Sequence, residues 1–436
     1  MTLPIIFENG SFHSKIGYGG NFDPEYVIPT VVADFQNKSS LHVLKINEEY
    51  NNYFIGEQGI NKVKESKNYN LSYPIKNRFI DNWDLMEKFW NQSIYYYLKS
   101  DPQEHFFVLS EPPMNPPENR EKIAEIFFET FNVPGLFIGM DSFFTIFAYH
   151  KFSEEIEFEI DDNNKKALNN LTGIVIDSGE GNTSIVPICE GNIVSSQIKN
   201  FPINGKIITN FIVEMIKERG EKINTEDLYH AAVDFKEKNC YLTKDIIEEL
   251  AKFDKKRIIE GKLNQSSKFK KFEGIGKISL KPYSINVGYE SFLGPELFFS
   301  PEIINRNYNS SLDEIVDLTI QQCPIIYRKM LYSNIILSGG SSLFRNFSYK
   351  LQYNITKRVD DRLKIYTISG KQHSIKVNVN PYIKKNLVWC GESYFSCREN
   401  FEGIVHTREE YNEKGPKCCS RLFWIDNQDV YLNPYY

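Results

Sequence analysis

Cysteine pairs at metal or redox spacing are missing from this chain of 436 residues. Its seven cysteines, at positions 189, 240, 323, 390, 397, 418 and 419, are odd in number, lie scattered through apolar stretches and form no Cys-x-x-Cys. That argues against a disulfide framework and a zinc-ribbon or thioredoxin-type motif, and reads as reduced thiols in a cytosolic protein. A strong excess of one charge is also lacking, since 51 basic and 57 acidic residues leave a net charge of −6. Neither nucleic acid nor a membrane surface is therefore an expected partner. The opening MTLPIIFENG has no basic region followed by an apolar segment of signal length, and the strongest internal apolar stretch, Leu136 to Tyr149, is broken by Asp141. Neither secretion nor membrane insertion is expected, and that stretch reads as a buried strand running into a core helix.

What is present suits a large soluble fold: 41% hydrophobic and 25% charged residues can bury a substantial core in two to four domain-sized units. Pro4–Gly20 (PIIFENGSFHSKIGYGG) and Gly173–Gly191 (GIVIDSGEGNTSIVPICEG) share one order of apolar strand, acidic residue, glycine turn and second strand. Each reads as a β-hairpin, and the repeat points to two related halves. Residues 34–70 are polar and rich in Asn, Lys and Tyr, as in a small mobile lobe or surface insertion. Apolar spacing predicts helices over Trp83–Leu98, 118–131, Thr209–Arg219 and Thr243–Phe253, and a strand over Phe106–Leu109. Ser153–Asn170 is acidic and reads as a loop, and the seven lysines and one arginine from Lys252 to Lys271 read as a solvated face. Mixed strands and helices give an α/β fold class.

Tight glycine turns aim backbone N–H groups at phosphate, and two of them can grip a polyphosphate. Ser11 would add a hydroxyl, Lys15 a positive charge, and Glu8 with Asp177 the carboxylates that hold hydrated Mg²⁺; two ordinary hairpins are the alternative reading. In Asn334–Phe347 (NIILSGGSSLFRNF) a β-rich run ends in Gly339–Gly340, a junction where a flat ring can approach the backbone. Lys236 and Glu237 are placed to contact a nucleoside or to form a solvated helix face.

The order of these elements, followed by the tryptophan segment Val388–Gly391, resembles the actin family, whose fold is shared with Hsp70 chaperones and sugar kinases. Longer stretches resemble its actin-related proteins: Ser110–Glu121, Phe131–Phe137, Gly288–Pro301, Gln322–Leu363 and Val405–Cys418. The resemblance implies an actin-like fold, with two ribonuclease H-like lobes around a nucleotide cleft, each carrying a smaller inserted subdomain. Residues 1–33, 71–152 and 381–436 would form the first large lobe and 34–70 its insertion; 171–206 and 300–380 would form the second, with 207–299 inserted. It further implies ATP or ADP with Mg²⁺, held at the phosphates by Ser11, Lys15, Asp177, Gly179, Gly181 and Asn182. Lys236, Glu237, Gly339, Gly340, Leu343, Phe344 and Lys385 fall where the family holds adenosine.

Several positions depart from the family. Glu8 and Glu180 stand for aspartates, Ile207 for an aspartate after Gly205–Lys206, and Asn77 for the histidine of a sensor loop. Phe12 replaces a turn glycine; a positive φ there would cost roughly 1–3 kcal/mol. Asp141 and Ser184 occupy the glutamine and histidine positions that place the attacking water, so hydrolysis is expected to be slow or absent and the chain not to act as an enzyme. The implied role is a subunit of a cytoplasmic cytoskeletal assembly that nucleates branched actin filaments, with other complex subunits, actin-related protein 2 and actin as partners. The alternative is a purely structural subunit of a ciliary or axonemal machine, favoured by the aromatic tail Arg421–Tyr436.

Overall fold

The computed structural model describes residues 2–35, 53–66, 68–155, 171–251, 253, 269–364, 375–380 and 386–420. Lys385, the aromatic tail from Arg421, and most of the acidic loop and of the lysine-rich run lie outside the described residues. The chain divides into two compact units, one of residues 1–175, 186–198 and 384–436, the other of residues 176–185 and 199–383.

In the first unit the predicted hairpin forms from β1 (Ile5–Glu8) and β2 (His13–Tyr18), which pair antiparallel with Glu8 opposite Lys15. The chain continues through β3 (Tyr26–Pro29), β4 (Val32–Phe35), β5 (Tyr53–Ile55), β6 (Tyr69–Ser72) and the short ribbon β7 (Ile75–Lys76) with β8 (Phe79–Ile80). Of segment 34–70, expected to be a small mobile lobe or surface insertion, the described residues include β5 and helix Gly56–Glu65; β5, β4 and β6 form a sheet, covered by that helix. The apolar run YFI and the apolar–polar alternation of YNLS carry that sheet.

Strands β9 (Phe106–Glu111) and β10 (Gly135–Met140) run parallel beside β1, and helices Trp83–Gln92 and Pro117–Glu125 match the predicted periodicity. Both helices end in wider π-helical turns, Ser93–Leu98 and Ile126–Thr130. Phe7, Trp90, Phe107 and Phe127 are fully buried in one aromatic core, with Trp90 and Phe107 edge-on to Phe127 at 5.0 and 5.2 Å. Burial of each such ring is worth about 2–3 kcal/mol. The apolar stretch at Leu136–Tyr149 is, as expected, a buried strand running into a helix, Asp141–Glu155.

The next strands are β11 (Gly173–Ser178), β12 (Thr183–Cys189), β13 (Asn192–Ile193) and β14 (Lys199–Phe201). They are followed by the ribbon β15 (Lys270–Ile275) with β16 (Pro282–Val287), then β17 (Ile335–Ser338) and β18 (Val379–Asn380). In the second unit the strand order is β14, β12, β11, β17, β18. Helix Gly205–Glu218 begins at Asn204, whose side chain accepts from the Ile207 N–H at 3.0 Å. The helix expected over Thr243–Phe253 is confined to Ile246–Ala251, because Asp245 accepts from the Ile247 and Glu248 N–H groups and so sets its start. Among the described residues, no helix is long and apolar enough to cross a membrane.

Candidate functional site

In the first unit the turn after β1 carries its own electrostatic closure. Lys15 and Glu8 face each other across the hairpin, and the ammonium donates to both carboxylate oxygens at 2.6 and 2.8 Å. The Ser11 hydroxyl accepts from the backbone N–H of Arg78 at 3.1 Å, tying the turn to segment 77–78. The Arg78 guanidinium in turn pairs with Asp141, the first residue of its helix, whose other oxygen accepts from the Ser142 hydroxyl at 3.1 Å. Both cations that sequence reasoning offers or overlooks here, Lys15 and Arg78, therefore meet carboxylates of the chain itself. Asp141 is not free to act as a base while Arg78 holds it.

The expected strain at Phe12 is absent: its φ is not positive, and its ring lies edge-on to His13 at 4.6 Å. The tight position is Gly10, where a Cβ would stand 2.4 Å from the His13 carbonyl oxygen. Positive φ falls instead on Asn77 (50°) and Arg78 (72°), which Ser11 and Asp141 hold in place. Two consecutive non-glycine residues in that region cost on the order of 1–3 kcal/mol each, a strain that surrounding contacts must offset.

A third carboxylate in this cluster was not legible as a site residue. Glu392, on helix Leu387–Ser396, is fully buried, and among the described residues neither of its oxygens meets a donor at regular hydrogen-bond geometry. Burial pushes its carboxyl well above the ordinary range, the charges of Glu8 and Asp141 add to the rise, and Ser110 and Lys15 oppose it. Beside it, Gly391 lets this helix touch helix Asp141–Glu155 so closely that a Cβ would fall 2.0 Å from the Phe144 carbonyl oxygen. The sequence signal was a lone acid inside the apolar run LVWCGESYFS.

In the second unit Asp177 is buried at the end of β11, and the loop after it closes through the Gly179 N–H donating to the Asn182 carbonyl at 2.9 Å. Asn182 donates to Asn200 at 3.2 Å, and Gly181 accepts from Asn204 at 3.2 Å. Glu180, in the middle of the loop, accepts from Lys236 at 2.9 Å and from the Tyr229 hydroxyl at 3.0 Å. Lys236 also donates to the Gly205 carbonyl at 3.0 Å, whereas its neighbour Glu237 points to solvent on helix Thr225–Asn239. Lys236 thus holds the loop, and the two expected nucleoside contacts lie on different faces of one helix.

The glycine pair behaves as two different devices. Gly339 has φ 81° and its Cβ would stand 2.3 Å from the Ser178 carbonyl oxygen, so β17 and β11 approach only because it is glycine. At Gly340 a Cβ would meet none of the described residues within 4 Å, which leaves open backbone among them where a flat ring can lie. Ser341 donates to the Gly179 carbonyl at 3.2 Å, joining this junction to the loop after β11. Leu343 is exposed and Phe344 buried at the end of the same 3₁₀ turn. Ser184 is buried in β12 opposite Asn200.

The family model for actin matches residues 2–423. The chain is similar to actin-related protein 3 of Caenorhabditis elegans, 38% identical over 95% of this chain and 96% of that one. It is equally similar to the same protein of Dictyostelium discoideum, at 38% with the same coverage, and to that of Drosophila melanogaster at 37%.

Proposed function

The chain belongs to the actin family, with its α/β fold, and from that premise we propose that it is an actin-related protein 3-like subunit of the assembly that nucleates branched actin filaments with actin-related protein 2. The carrying observation is the similarity to actin-related protein 3 across 95% of the chain. Nucleation in this reading is templating: two actin-like subunits held side by side remove the costly first association steps of a filament. The assembly is cytoskeletal and cytoplasmic, and the four subdomains divide as the resemblance implies.

Within it, Ser11 and Lys15 of the first unit and Asp177, Gly179, Gly181 and Asn182 of the second are assigned to the phosphates of ATP or ADP. Gly339, Gly340, Leu343, Phe344, Lys236, Glu237 and Lys385 are assigned to adenosine, and Glu8 and Asp177 to water-bound Mg²⁺. The open backbone at Gly340 supports the nucleoside assignment. Mg²⁺, when bound, supplies the positive charge that phosphates need where Lys15 is already engaged by Glu8. Hydrolysis has weaker support, because Asp141 is paired with Arg78 and Ser184 is buried in a strand. Single-turnover hydrolysis should run far below that of conventional actin; an equal rate would refute this part.

Purification of the tagged full chain from its own cells tests the whole reading. Recovery of actin-related protein 2 in equal amount, with branched filaments formed from added actin, is expected. Recovery of axonemal proteins without actin-related protein 2 would favour the purely structural subunit instead.

A further inference from the structure

The end of the first unit gathers three soft ligands that this function does not use. His406 lies in β19 (His406–Thr407), fixed against β10 by pairing with Leu136, and Cys418 and Cys419 close the 3₁₀ turn Pro416–Cys419. One ligand atom from each of the three lies within 4.8 Å of the others. The two sulfurs are 3.7 Å apart. Two thiolates on a tetrahedral zinc ion, at Zn–S distances near 2.3 Å, stand about 3.8 Å apart, so the spacing is already that of a metal edge.

The surroundings orient these ligands. His406 Nδ1 meets Glu410 Oε2 at 2.9 Å, while Glu410 Oε1 accepts from Lys414 at 3.0 Å. A carboxylate behind an imidazole fixes the ring and leaves Nε2 as the ligand atom, the arrangement found behind metal-bound histidines. The thiols stand on anchored backbone: Gly415, at φ 68°, turns the chain after helix Arg408–Lys414, and the Ser420 carbonyl accepts from Arg120 at 2.7 Å. Cys419 is buried in the aromatic core, whereas His406 and Cys418 are only half-buried and give an ion a way in. Packing alone accounts for Cys419. It does not account for a carboxylate-oriented imidazole beside two thiols.

We propose that His406, Cys418 and Cys419 form a site for a thiophilic divalent cation, zinc, with the fourth tetrahedral position open to water. Binding exchanges two thiol protons for one Zn²⁺, leaving both sulfurs as thiolates and the imidazole neutral. The site locks β19 to the turn that follows it, a crosslink in a chain without disulfide pairs.

Titration of the purified full chain with Co²⁺, read by tetrahedral-cobalt and thiolate-to-cobalt absorption, tests this. One equivalent should bind, show both bands and be displaced by one equivalent of Zn²⁺. Cys418→Ser and His406→Gln, both at half-buried positions and checked for fold by circular dichroism, should each weaken binding about tenfold or more, and Glu410→Gln about tenfold. Cys397→Ser, at an exposed cysteine outside the trio, should leave it unchanged. Absence of thiolate bands, or equal affinity in the Cys418→Ser/His406→Gln double variant, would overturn the proposal. So would peroxide closing a Cys418–Cys419 disulfide as fast with Zn²⁺ as without it.

Discussion

The turn between β1 and β2 and the loop between β11 and β12 follow one plan, yet they neutralise their acids in opposite ways. In the first, the cation comes from the hairpin itself, Lys15 opposite Glu8, and the same neighbourhood holds Asp141 with Arg78 and the buried Glu392. In the second, one acid in the loop, Glu180, takes its cation from a helix far along the chain, with Tyr229 as a further donor. The first arrangement is crowded and internally balanced. The second is sparse and leaves open backbone at Gly340. A site whose charges are already matched within the chain gains less from a phosphate than one that is not, because each new contact must displace an existing one.

The largest effect should come from the two lysines. Lys15→Met removes the cation that faces Glu8 and opposes the charge cluster around Glu392, and is expected to cost about 4 kcal/mol in urea unfolding. Lys236→Met leaves Glu180 with the Tyr229 hydroxyl and is expected to cost about 2 kcal/mol. Adding Glu8→Gln to Lys15→Met should restore at least half of the loss, as expected of directly coupled partners. A costlier Lys236 variant would reverse the comparison.

Glu392 gives the first unit a pH dependence with a defined sign. Its carboxyl is raised when folded, so the folded chain keeps a proton that the unfolded chain releases above about pH 4.5. Stability from this group is full below that pH and declines as pH rises, by up to about 1.4 kcal/mol per unit. Glu392→Gln cannot titrate. Relative to the parent it should be nearly neutral at pH 4 and progressively stabilising towards pH 8. An offset that is the same at both values would mean that the buried carboxyl does not hold its proton.

These contrasts were only partly legible in the sequence. Both hairpin segments, the strand-to-helix stretch at Leu136–Tyr149 and the helices at 83 and 118 follow from periodicity, since apolar spacing decides which face is buried. The π-helical turns at Ser93–Leu98 and Ile126–Thr130 do not, because one extra residue in a turn leaves the composition unchanged. Arg78 and Glu392 escaped notice for another reason: each acts on residues more than sixty positions away, Arg78 from the turn between β7 and β8 and Glu392 from a helix that Gly391 lets pack closely on its neighbour. His406 and Cys418 likewise meet only because a helix and a glycine turn fold the chain back between them.

The smallest expected change in stability tests the open end of the comparison. Gly340→Ala adds a methyl that meets no atom of the described residues within 4 Å, in backbone without positive φ, so unfolding should shift by no more than about 0.5 kcal/mol. The same methyl would occupy the space assigned to the adenine ring. Nucleotide affinity, measured with a fluorescent ATP analogue, should then fall about tenfold while the fold is untouched. Ser11→Ala is the matched change in the first unit: it removes the acceptor of the Arg78 N–H and should cost about 1 kcal/mol of stability. If instead the serine variant lost nucleotide and the glycine variant kept it, binding would depend on the crowded turn rather than on the open backbone, and the contrast drawn between the two regions would fail.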